Sequence, residues 1–295
     1  MADSRELAKV IGNTVSSMGE VDDIQYKEYQ EHRNVIRAFS NEFDLLRMVV
    51  ESYDDFMSHL EKVAENLASA KEMLNQSVFD PLAFTSGRLL LSYLAATRTF
   101  LDHTQTSLAR EYGKKSDQLA YFKLLTAREH DERISYRLLY KLRNYVQHCG
   151  IPPVEFAVQH EPGVGINIDL TMSPGTLLSV YDEWGAFVKK DLQECEGPIY
   201  LVGIVDENLE SLKRIYLSLY VSNKATVVRQ SYSWVCQLIG TNSPEDIFCF
   251  FNTPAEAGAR TGPVTFKMEW IPTQALRQVN WVEAELAEFQ EDGNI

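Results

Sequence analysis

The stretch Leu142-Arg143-Asn144-Tyr145-Val146-Gln147-His148-Cys149-Gly150-Ile151-Pro152-Pro153 divides the chain into two kinds of sequence. Before it, apolar residues recur at helical spacing; after it, alternation and turn residues take over. Within it, Gly150 can supply the left-handed residue that ends a helix, and the Pro152-Pro153 pair prevents the helix from resuming. A helix ending there delivers an arginine, an amide and a histidine together. His148 then sits at the negative end of the helix dipole, which favours the imidazolium, beside the permanently charged Arg143.

Upstream, from Ile24, the residues Phe39, Phe43, Leu46, Val50, Tyr53, Met57, Leu60, Ala64, Leu67 and Leu74 recur at alternating steps of four and three, the mark of one long amphipathic helix. Its seam suits shallow packing inside a bundle, and the same periodicity would also serve a dimeric coiled coil. Asp80-Pro81 reads as a loop. A second helix follows through Leu90, Leu94, Thr97, Leu101, Thr104 and Leu108, stopping near Tyr112-Gly113. The third spans 117–149, with a polar stretch at 126–133 that bends or breaks it before Ile134, Leu138, Leu142 and Val146 restore the stripe.

Downstream, 154–160 and 165–172 read as two strands around Glu161-Pro162-Gly163-Val164. Ser173 as N-cap and Pro174 at the first helical position open a helix to about Cys195. Helical stretches at 207–221 and 226–240 come next, then two further strands at 247–251 and 264–271. The two strand pairs can form one small sheet. The expected fold is therefore mainly α, a helical bundle over 24–153 with a C-terminal α+β elaboration over 154–282 packed on it and containing a small antiparallel sheet. Residues 1–23 are expected to be a flexible N-terminus, and 283–295 an acidic, frayed tail.

Composition narrows the function classes. The chain has 295 residues, 45% hydrophobic and 24% charged, which is ordinary for a soluble globule. Its net charge of −14 argues against a broad basic surface that grips nucleic acid non-specifically, so any contact with RNA must be local. Residues 1–23 are too polar for a secretory signal and no window is apolar enough for a membrane span, so a cytoplasmic protein is expected. Cys149, Cys195, Cys236 and Cys249 form no C-x-x-C pair, and buried free thiols are expected rather than a zinc site or disulfides. Walker, dinucleotide and G-x-S-x-G motifs are absent, and no cofactor or metal is expected.

The candidate site is Arg143 and His148, with Asn144 in support. The spacing alone is weak: Arg98 and His103 share it, but they lie in mid-helix with no terminator behind them. The Arg143 copy ends a helix and follows Arg133, Arg137 and Lys141, which fall at four-residue steps on one face and would draw an anionic substrate. A solvated basic stripe with His148 as a helix-end cap accounts for the same residues. Glu129-His130-Asp131-Glu132 has the composition of a metal cluster, but its neighbours point around the whole helix, and a solvated bend accounts for it better.

The run from Tyr140 to His148, with long helices before it, resembles the signature of the HEPN superfamily, all-helical domains with an Arg-x4-6-His motif in which the residue after the arginine is often Asn, Asp or His. The resemblance covers about 84–153. It implies metal-independent endoribonuclease activity on RNA at a homodimer interface, with His148 moving protons and Arg143 stabilising the phosphorane formed when the 2′-hydroxyl attacks the adjacent phosphate. A non-catalytic HEPN-like dimeric module binding a nucleotide or a protein partner is the alternative. Some toxin members carry a tyrosine two residues after the motif histidine. Here that residue is Gly150, and no cognate antitoxin is inferred.

Overall fold

The structure, a computed structural model, describes residues 4–69, 76–161, 165–241, 245–253 and 267–291. The chain is mainly α-helical with small antiparallel sheets. It opens with strands β1 (Ser4–Ile11) and β2 (Thr14–Glu20), followed by the helices α1 (Asp23–Ser69), α2 (Gln76–Glu111), α3 (Asp117–Glu132) and α4 (Ile134–Cys149). Then come β3 (Val154–Glu161), β4 (Gly165–Met172), α5 (Pro174–Val180), α6 (Ala186–Glu194) and β5 (Ile199–Tyr200). The last elements are α7 (Leu201–Asn223), α8 (Ala225–Ile239), β6 (Ile247–Thr253), β7 (Lys267–Trp270) and α9 (Thr273–Glu291).

Two compact units share these elements: Met1–Asp44 with Leu217–Ile295, and Leu45–Tyr216. This partition cuts the chain elsewhere than at Pro153. The boundaries fall inside α1 and α7, whose apolar periodicity runs on without a break, so no composition shift marks them.

The first unit corrects the reading of the N-terminus. Residues 4–20 are no flexible leader: β1 pairs with β2 on one side and with β6 on the other, giving an antiparallel sheet in the order β2-β1-β6-β7. Ala8 stands opposite Cys249, both fully buried. The segment read as polar because β2 is exposed along its whole length. One sheet face packs on helix, with the Phe250 ring 4.6 Å from Tyr29 and 5.4 Å from Tyr26. The expected frayed tail is instead α9 to Glu291, anchored by buried Val282, Leu286 and Phe289. Its acidic residues are the outer face of an amphipathic helix.

The second unit holds the helices that lead to the candidate site. In this unit the expected seam of α1 is buried at Leu46, Leu60 and Leu67, but the residues buried between them are Val49, Phe56 and Val63, while the expected Val50, Tyr53, Met57 and Ala64 are half-buried at its edge; Leu74 lies outside the described residues. Asp80-Pro81 is not a loop, because Pro81 lies inside α2. So close to a helix start the ring removes one backbone hydrogen bond, and the long buried stripe from Leu89 to Leu108 carries the helix regardless. The break expected at 126–133 falls on Arg133 alone, whose φ of −127° and ψ of 119° cap α3 and start α4.

Beyond α4, β3 and β4 pair as expected, and Ser173 caps α5 by accepting a hydrogen bond from the Thr176 N–H. The single helix expected from 174 to 195 is interrupted from Tyr181 to Gly185. Trp184, 1% exposed, turns inward and donates from Nε1 to the Leu177 carbonyl at 3.2 Å, and Gly185 supplies the φ of +78° that the turn needs. The two-residue β5, too short to show alternation, adds to β4. The two strand pairs thus belong to different sheets, β3-β4-β5 here and β6-β7 in the other unit. Asp169 on β4 caps the start of α7, accepting from the Val202 N–H at 3.2 Å.

Candidate functional site

Helix α4 runs regularly to Cys149 and stops at Gly150, whose φ of +98° only glycine takes readily. The chain leaving it crosses α2 closely: a Cβ on Gly87 would lie 2.7 Å from Ile151 Cγ2. These two glycines fix where the last turn of α4 ends.

One side of that turn docks on the α5–α6 connection through aromatic rings. Tyr145 stacks on Trp184 at 5.7 Å and meets Tyr181 edge-on at 5.8 Å, and Tyr181 meets Trp184 edge-on at 5.3 Å. His148 lies against the same cluster, its ring 6.3 Å from Tyr181 and 12° from parallel to it. The imidazole is otherwise exposed and hydrogen-bonds to no described residue. Burial raises the Tyr181 phenol above its ordinary pKa, and the Glu183 carboxylate adds to the effect. The His148 ring thus stacks on a neutral phenol.

Arg143 takes a different direction. It is half-buried and donates from Nη1 to the Gln147 side chain one turn further along the helix. Residues five apart lie roughly 140° apart around a regular helix, and the last turn does not loosen, so one chain does not gather Arg143 and His148 at one point. Asn144, half-buried, shares a helix side with His148 and hydrogen-bonds to no described residue.

The basic stripe differs from its reading. Arg137 forks onto Asp191, with Nε 2.5 Å from Oδ2 and Nη2 3.0 Å from Oδ1, and its Nη1 also caps the end of α3 at the His130 carbonyl, 3.2 Å away. Arg133 lies 3.0 Å from Glu129 and 3.3 Å from Glu207. Among the described residues, Lys141 reaches the Glu183 carbonyl alone, at 3.5 Å. Both arginines thus pair with carboxylates of their own chain, a structural use of charge that competes with binding an anionic substrate. In a chain with 42 acidic against 28 basic residues, most arginines that can turn inward find a carboxylate.

Glu129 is likewise not part of a solvated bend. It is 6% exposed and holds Arg214, while Arg128 pairs with Glu132 and His130 with Asp131 at the surface as expected. Arg98, the arginine of the second Arg-x4-His run, pairs with Asp102 at 2.7 Å and lies 5.0 Å over the Tyr140 ring. All four cysteines are free thiols: Cys236 and Cys249 are buried, Cys195 is half-buried and Cys149 is exposed. The partners Asp191, Glu207 and Arg214 lie 54, 74 and 85 residues from the groups they hold, and no spacing rule reaches so far. Tyr181 and Trp184 were legible only as aromatic residues beside a glycine.

No family model, no curated protein and no solved structure matches this chain. Among the described residues no helix is long and apolar enough to cross a membrane.

Proposed function

We propose that the chain is a cytoplasmic, metal-independent endoribonuclease of HEPN type that cleaves RNA by 2′-hydroxyl transesterification as a homodimer. The observation that carries the reading is His148: an exposed imidazole in the last turn of α4, with no hydrogen-bond partner among the described residues, on the same helix end as Arg143 and Asn144. The family resemblance of residues 84–153 gives that end its chemistry.

In this reading the His148 imidazole takes the proton of the attacking 2′-hydroxyl, and the matching imidazole of a second copy returns one to the 5′-oxygen that leaves. Arg143 bears on the phosphorane, whose added negative charge a fixed guanidinium stabilises more than it does the ground state. Asn144 orients phosphate or imidazole. The divergence of Arg143 and His148 around one regular helix supports a site completed by two copies. The test compares wild type with His148→Ala and Arg143→Ala on structured and unstructured RNA in EDTA. Cleavage by wild type and loss of at least a hundredfold in each variant is expected; equal cleavage by all three, or none by wild type, overturns the reading.

The pairing of Arg133 and Arg137 with carboxylates favours a second reading, a HEPN-like dimeric module that binds a nucleotide or a protein partner without turnover, since it leaves less cationic surface near α4 than a long RNA would use. Saturable nucleotide binding that depends on Arg143, with no cleavage of any RNA, would establish it.

A further inference from the structure

We infer that the cavity between α4, α6, β5 and α7 binds a medium-chain amphiphile whose polar head donates hydrogen bonds and carries no negative charge. The cavity measures about 330 Å³, within the size range of small-molecule sites, and Ile134, Leu138, Leu192, Ile199 and Ile204 give it an apolar wall. The charged group on that wall, Asp191, is already neutralised by the Arg137 fork. The site therefore asks for hydrocarbon.

Gly203 is the second observation. It lies in the first turn of α7 and lines this cavity, and a Cβ built on it meets no atom within 4 Å. Nothing there demands glycine: its φ is not positive, no backbone crosses it, and alanine would suit a helix better. At this exposed position the missing side chain leaves the mouth of the cavity open.

The head group follows from what adjoins. A second cavity of about 610 Å³ shares Leu192 and Cys195 with the first, so the two lie side by side at the end of α6, within reach of one elongated ligand. This second wall is mixed, setting the Gln193 amide and the Glu155 carboxylate among Pro174, Leu178 and Pro198, and it includes no Lys, Arg or His; its Thr171 hydroxyl donates to the Glu155 carbonyl and its Ser173 hydroxyl accepts from the Thr176 N–H. A carboxylate head would meet Glu155 with no cation to balance it, whereas an ammonium or hydroxyl head finds acceptors.

The experiment uses the full chain and three probes of equal chain length, decylamine, decanol and decanoate, titrated calorimetrically. Saturable one-to-one binding of decylamine or decanol is expected, at least tenfold tighter than decanoate. Gly203→Leu and Gly203→Phe should weaken it at least tenfold, while Gly203→Ala melts no lower than wild type. In a Cys149→Ser background, the bound probe should slow modification of the Cys195 thiol by a disulfide reagent. Decanoate binding as tightly, no saturable binding of any probe, unchanged affinity in both bulky variants that keep the native circular dichroism, or an unprotected Cys195 would each overturn the inference.

Discussion

Arg214 on α7 forks onto the carboxylate of Glu129 on α3, with Nε 3.0 Å from Oε1 and Nη2 2.9 Å from Oε2. The two side chains are 11% and 8% exposed, and Arg133 stands 3.0 Å from the same carboxylate. Removing Arg214 strips the buried carboxylate of its bidentate partner but leaves Arg133 beside it, so the cost is the loss of those hydrogen bonds, about 1–3 kcal/mol, rather than that of an unpaired buried charge. Arg214→Met should therefore lower unfolding stability by that order in a urea titration, and the double variant with Glu129→Leu should recover most of the loss.

The same carboxylate sets an acid dependence. Burial alone would raise its pKa, but hydrogen bonds from Arg214 and Ser211, with the charges of Arg214 and Arg133, outweigh that and hold it below the ordinary carboxylate range. A group whose folded pKa is depressed contributes stability above its unfolded pKa, about 4.3 for a glutamate, and loses it as pH falls through the folded value. Urea midpoints of wild type and Glu129→Gln should differ most at neutral pH and converge below about pH 4. A constant difference across that range would show that Glu129 is not depressed.

Gly150 ends α4 with φ of +98° and ψ of −160°, a conformation essentially confined to glycine. Gly150→Ala should cost about 1–3 kcal/mol, read as a lowered melting temperature. Because the terminator also fixes the final turn, the variant should, if the chain cleaves RNA as proposed, lower that cleavage without altering any side chain of the site.

What the sequence showed and what it hid follow from the range of the interactions. The end of α4, the break near Arg133 and the capped start at Ser173 rest on contacts within a few residues, so local patterns revealed them. The β1–β6 pairing joins residues near opposite ends of the chain, and its edge strand β2 is exposed throughout, so neither periodicity nor burial pointed to a sheet. For the candidate site, the helix end and its residues were legible. Their direction was not, because Asp191 and Glu207, which turn Arg137 and Arg133 inward, come from distant helices.

Arg137 separates a structural cation from a substrate-binding one. Its fork to Asp191 joins side chains 14% and 18% exposed, and charge-assisted hydrogen bonds of this kind contribute about 1.5–3 kcal/mol each. Arg137→Met should therefore destabilise the fold in a urea titration and, if RNA is the substrate as proposed, leave its affinity within twofold of wild type. A tenfold loss of affinity at unchanged stability would return Arg137 to the substrate.

If cleavage needs Arg143 and His148 from facing copies, the two inactive variants should complement each other. A homodimer of His148→Ala has no imidazole in the site, and one of Arg143→Ala has no guanidinium. A dimer formed after mixing and subunit exchange holds one of each. The remaining His148 has lost its counterpart for the second proton transfer, so activity should return only in part, well above either variant alone yet below wild type. Recovery should follow the rate of subunit exchange, monitored in the same sample by energy transfer between labelled copies. A mixture as inactive as its components, with exchange demonstrated, would mean that each copy works with its own motif, or that neither works unless both imidazoles are present. The regular last turn of α4, which holds Arg143 and His148 about 140° apart, leaves little room for the first of these.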